Sequence, residues 1–95
     1  MAAYVIARIT VTNWDQYQKY IAATPAVIEQ FAGKFIARGG ETVTLEGPEE
    51  TRRLVLLEFP SMEQAKAFYN SQDYQDVIKL REGAATASLV AIDGV

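Results

Sequence analysis

The chain has 95 residues, 49% hydrophobic and 22% charged, a formal net charge of −3, and neither cysteine nor histidine. That balance argues against a nucleic-acid footprint, which needs a basic face, so no nucleic-acid partner is expected. A disulfide framework, thiolate or imidazole metal sites and a Ser-His-Asp triad are excluded, and no cofactor or metal is expected. The length suits one globular domain over residues 1–95, with a thin core that association with a partner would thicken. The opening MAAYVIARITV lacks a basic n-region and any apolar run long enough for a signal or a membrane span, so a cytoplasmic location is expected.

AYVIARITVTN alternates in two registers. Val5, Ala7, Ile9 and Val11 make one wholly apolar face, and Tyr4, Ile6, Arg8 and Thr10 a mixed one, the pattern of a strand covered on both sides. Asn13, with Gln16 three residues on, opens a helix carrying Trp14, Tyr17, Ile21 and Ile28 near helical spacing. Pro25 should bend this helix or begin a second stretch, and Gly33 should end it as a left-handed cap. KFIARGG reads as the second strand, and TVTLEGPEE as a short strand or hairpin arm closed by Gly47-Pro48. RRLVLLEFPS is the clearest strand, ended by Pro60. Ser61 caps a helix with an apolar side at Ala65, Phe68 and Tyr69; DYQDVIKLREGAA is another helix, stopped at Gly83; ASLVAIDG is the last strand.

The order β-α-β-(β)-β-α-β predicts an α+β ferredoxin-like sandwich, with helices on one face of an antiparallel sheet. Parity sends Val5, Val55, Leu57, Phe59, Phe35 and Ala37 toward the helices. Tyr4, Ile6, Ile36, Leu54 and Leu56 then lie on the far face, too apolar for water in a monomer. Two such sheets packed face to face form a homodimer.

Only Arg, Glu, Asp and Tyr remain for chemistry. Parity groups Arg8, Arg38 and Glu58 on the far face, each near a strand end. Arg38 could bind a carboxylate or enolate, with Glu58 as base and Gly39-Gly40 keeping the approach free of side chains. The alternative is a salt bridge satisfying charges trapped between subunits. Tyr69, Tyr74 and Arg81 could line a cleft between helices and sheet, or could be core packing with a wet hydroxyl. Trp14 reads as a packing anchor, and Glu46, Glu49, Glu50, Arg52 and Arg53 as a solvated turn.

Taken together, AYVIARITVTN, the ARGG of Ala37 to Gly40, the LEFPS of Leu57 to Ser61 and FYNSQDYQ followed by Arg81 resemble a bacterial family known as domain of unknown function 1330. The likeness runs along nearly the whole chain. It implies ferredoxin-like subunits paired into a dimeric α/β barrel, and no established activity. The positions it carries over are Arg38, Gly39, Gly40, Glu58, Tyr69, Ser71, Tyr74 and Arg81, as candidate ligand contacts. Members often have a histidine before the second strand, where this chain reads Gln30-Phe31-Ala32-Gly33. The wider superfamily includes cofactor-independent monooxygenases, haem-degrading enzymes and muconolactone-type isomerases. These readings make the protein a homodimer binding a small polar or anionic organic metabolite, as a cofactor-independent monooxygenase- or isomerase-like enzyme or as a non-catalytic binding or stress-associated module.

Overall fold

A computed structural model describes every residue from Met1 to Val95. The elements run β1 (Ala3–Val11), α1 (Trp14–Gln30), β2 (Lys34–Arg38), β3 (Arg53–Phe59), α2 (Met62–Asn70), α3 (Gln72–Lys79) and β4 (Ala85–Asp93). The strands form one antiparallel sheet in the order β2-β3-β1-β4, and the fold is the expected ferredoxin-like α+β arrangement. No helix is long and apolar enough to cross a membrane.

The two registers of β1 separate as alternation requires. Ala3, Val5, Ala7 and Ile9 are buried, as are Val55, Leu57 and Phe59 of β3, which face the same side. Tyr17 and Ile28 of α1, Phe68 of α2 and Tyr74 of α3 close this core from above. The caps fall where the side chains put them: Asn13 Oδ1 accepts from the Gln16 N–H, and Ser61 Oγ from the Gln64 N–H.

Four features depart from expectation. The segment 42–50 forms no strand, and its Val43 and Leu45 are exposed on an irregular arm between β2 and β3. The left-handed residue after α1 is Ala32, not Gly33. Gly33 is instead needed for packing, since a Cβ there would come within 2.5 Å of Phe59 Cε1. Pro25 begins no second helical stretch, since the assigned helix runs unbroken from Trp14 to Gln30.

The fourth is the most consequential. In β2, Phe35 pairs with Leu57 but Ala37 pairs with Leu56, so a β-bulge falls at Ile36. One inserted residue reverses the faces of all that follow it. Ala37 therefore turns to the far face, and Arg38, opposite Val55, turns toward the helices.

Candidate functional site

The expected trio of Arg8, Arg38 and Glu58 does not exist. Arg8 and Glu58 lie on the far face, opposite Leu54 and Tyr4 respectively. Arg8 Nε donates to Glu50 Oε1 at 3.2 Å, and Lys34 Nζ sits 3.3 Å from Glu58 Oε2. Glu58 is thus separated from Arg38 by the sheet itself and cannot serve it as a base. A bulge leaves no mark in residue alternation, so parity alone puts Arg38 on the wrong face.

Arg38 is held by a defect in α1. Pro25 has no N–H, so the carbonyl of Ile21, its partner four residues earlier, loses its helical hydrogen bond. Arg38 Nη2 donates to that carbonyl at 2.8 Å, and the guanidinium lies 4.3 Å from the centroid of Phe35. Thr24 Oγ1 adds a bond to the Tyr20 carbonyl one residue before. The proline and the arginine, far apart in sequence, therefore form one device.

Gly39 serves a different arginine. It holds φ at +67°, and a Cβ there would overlap the Arg53 guanidinium, 2.5 Å from its Cζ. Arg53 begins β3 and lies 5.9 Å from the ring of Trp14, which is half-exposed and packs edge-on to Tyr17. Gly40 has nothing within 4 Å of its Cβ position and makes no comparable space.

Arg38 and Arg53 line a cavity of about 30 Å³ between α1, α3 and the sheet, together with Tyr17, Tyr20, Tyr74 and Thr24. Arg81 follows α3 and lies 5.2 Å from the centroid of Tyr20. The Tyr20 and Tyr74 hydroxyls share a 2.6 Å hydrogen bond. Burial, and then the neighbouring Tyr20, push the Tyr74 hydroxyl far above the usual phenol range. Burial raises Tyr17 too, against the opposing pull of Arg53 and Arg81. Neither phenol is a base at neutral pH; both are fixed neutral hydrogen-bonding groups.

The charges are lopsided. The ion pairs are Arg8 and Arg52 with Glu50, Lys34 with Glu58 and Lys79 with Asp76. Arg38, Arg53 and Arg81 belong to no ion pair, in a chain whose net charge is −3. The Nε atoms of Arg53 and Arg81 are buried and make no hydrogen bond. Leaving such a donor unmet costs on the order of 1–3 kcal/mol.

A larger cavity of about 280 Å³ adjoins this cluster, sharing Phe68 and Leu89 with the smaller one. Tyr69 and Arg81 both line it. Tyr74 stands behind, its ring centroid 5.6 Å from that of Tyr69. Ser71 is a structural joint: its Oγ donates to the Phe68 carbonyl at 2.7 Å and accepts from the Tyr74 N–H at 3.1 Å, ending α2 and starting α3. The structure thus joins Tyr69, Tyr74 and Arg81 on one side of the sheet and brings Arg38 to that same side, while removing Glu58. Sequence reasoning missed Tyr17, Tyr20 and Arg53. Tyr17 and Tyr20 lay three residues apart on α1 as a usable signal; Arg53 was masked by the charged turn before it.

The family described as Domain of unknown function (DUF1330) matches residues 2–95, and the chain belongs to it. No functionally curated protein matches the sequence. Among solved structures, it is similar to a protein of unknown function from Rhodopseudomonas palustris, with a TM-score of 0.77 and 20% identity over 99% of this chain and 82% of the other. SnoaB, a cofactor-independent oxygenase from Streptomyces nogalater, superposes with a TM-score of 0.70 and 12% identity, covering 99% of this chain and 93% of that one. A dimeric ferredoxin-like protein of unknown function from Bacteroides fragilis gives a TM-score of 0.65 and 13% identity, over 98% and 96% of the two chains. At these identities the likeness establishes the fold.

Proposed function

We propose that this member of the DUF1330 family is a homodimer that binds a small anionic organic metabolite in the cleft between its helices and sheet. The observation that carries the binding reading is the set of three arginines, Arg38, Arg53 and Arg81, that face the helix side without an acidic partner. Guanidinium groups beside neutral phenols suit a carboxylate, which accepts two parallel N–H bonds from one arginine. Isothermal titration with benzoate and citrate tests it. Binding of either anion should weaken in R53M and R81M and persist in R52M, whose arginine already pairs with Glu50. Equal binding by all four proteins, or by none, would sink the reading.

The dimer rests on the far face. Tyr4, Ile6, Leu54 and Leu56 are only half-buried there, and Ile36, Val90 and Ile92 are exposed. The chain exposes 6040 Å², whereas a compact monomer of its mass exposes roughly 5,400 Å². The surplus is of the order of the roughly 800 Å² that each partner contributes to a standard interface.

Likeness to SnoaB favours a second reading, in which the arginines stabilise an enolate formed from the bound metabolite. With Glu58 beyond the sheet and Tyr17 and Tyr74 locked neutral, the cleft offers no obvious base among them. Binding therefore ranks first. Solvent-deuterium exchange at the carbon next to the ligand's carboxylate, accelerated by the protein, would reverse that ranking.

A further inference from the structure

We infer that the anion is an apolar-bodied monocarboxylate, its head at Arg81 and its body in the groove that α2 and β4 leave open. This inference rests on the anion-site reading above and narrows it to a ligand class.

The groove exists because its walls are small. Ala87, Leu89 and Ala91 present the helix-facing side of β4, in register with Ile9, Ala7 and Val5 of β1. Ala65 and Phe68 of α2 form the other wall. Alanine at 65, 87 and 91 leaves the space of about 280 Å³ that larger side chains would fill. This lies just below the roughly 300 Å³ at which small-molecule sites begin, so the ligand is one or two rings, or a short chain.

Its lining is mostly apolar. The polar lining residues are Lys66, Asn70, the Tyr69 hydroxyl and Arg81, and no carboxylate is among them. Arg81 alone combines a buried, unpartnered Nε with a fixed plane, set by the Tyr20 ring beneath it and the Tyr74 hydroxyl beside it. A cation held in this way loses little freedom when it binds. A second carboxylate on the ligand would lie against Val5, Leu89 and Ala91, where nothing replaces its lost water, or reach only the solvent-exposed Lys66, where an ion pair is worth little. One half-buried guanidinium beside an apolar groove, with only the solvent-exposed Lys66 as a second cation, selects one charge on an apolar body.

The experiment is isothermal titration of the full chain with 2-naphthoate, octanoate, the neutral 2-naphthamide and citrate. We expect the two monocarboxylates to bind, and naphthamide to bind at least about tenfold more weakly, since it forfeits the charge-assisted bonds. R81M should weaken naphthoate by a similar factor. A91F keeps Arg81, fills the groove from a solvent-exposed position that needs no repacking of the core, and should weaken both monocarboxylates equally strongly. Circular dichroism confirms that each variant is folded, and A91F alone decides the matter if R81M is not. Citrate binding without naphthoate overturns the inference but leaves the anion site standing. So does naphthoate binding that A91F leaves unchanged, or that naphthamide equals. Failure of all the anions overturns both.

Discussion

Replacing Gly39 by alanine should be costly for two separable reasons, and comparison with two other glycines isolates each. Gly39 has φ +67°, a region that costs a non-glycine residue about 1–2 kcal/mol. The new Cβ would also overlap Arg53, which must leave its place near Trp14 and give up a cation–π contact of about 0.5–1 kcal/mol. G39A should therefore lose about 1.5–3 kcal/mol. Gly47 has φ +89° with nothing near its Cβ position, so G47A carries the torsional cost alone, about 1–2 kcal/mol. Gly40 has neither burden, and G40A should be neutral or gain about 0.4–1 kcal/mol through the unfolded chain. For a chain of this size each kcal/mol moves Tm by roughly 4–8 °C, so thermal unfolding at fixed protomer concentration resolves the series. In an R53A background the G39A penalty should fall to that of G47A. If G39A and G47A cost the same in the wild-type background, Gly39 is not making room for Arg53.

Further outcomes follow from the same contacts. P25A restores an N–H to the Ile21 carbonyl and should stabilise the chain, and R38A should then cost less than in the wild type; a double-mutant cycle with no coupling would contradict the Pro25–Arg38 device. L56E places a charge on the apolar far face and should dissociate the proposed dimer in sedimentation experiments at micromolar concentration, so an unchanged dimer with unchanged Tm would refute the face assignment. The Arg52 side chain, more than any other group, holds the Glu50 carboxyl down to about 2, against an ordinary value near 4.3 when unfolded. A lowered folded value means that Glu50 contributes its full stability above about pH 4.3 and loses it as pH falls toward 2, so E50Q should flatten the stability profile across that window; a profile identical to wild type would disprove the link.

Much of the fold could be read from residue pattern because its signals are local. The alternation of β1, the Asn13 and Ser61 caps and the Pro60 stop each involve neighbours within four residues, and the structure honours them. The site was less legible. The bulge at Ile36 inverts Arg38 without any sequence mark, turning an inferred Arg38–Glu58 pair into residues on opposite faces. Pro25 signalled a helical irregularity, but its consequence, a free carbonyl for Arg38, depends on how β2 packs beneath α1. Arg53 followed an acidic, turn-like run and read as solvent-facing; only the sheet register shows that it opposes Ile9 on the helix side. The arm at 42–50 had strand-like alternation at Val43 and Leu45 but finds no neighbouring strand to pair with.

Recognition of an anion by the arginines of the helix side can be read at the guanidinium groups themselves. Nitrogen-detected NMR of the arginine Nε–H groups during titration with 2-naphthoate or benzoate tests it most directly, since it identifies the residue at the ligand. Saturable shifts are expected at Arg81 and Arg53, whose Nε groups are buried and unpaired, and none at Arg8 and Arg52, which are already engaged by Glu50. Shifts at Arg8 and Arg52 instead, or no saturable shift at Arg53 and Arg81, would contradict it.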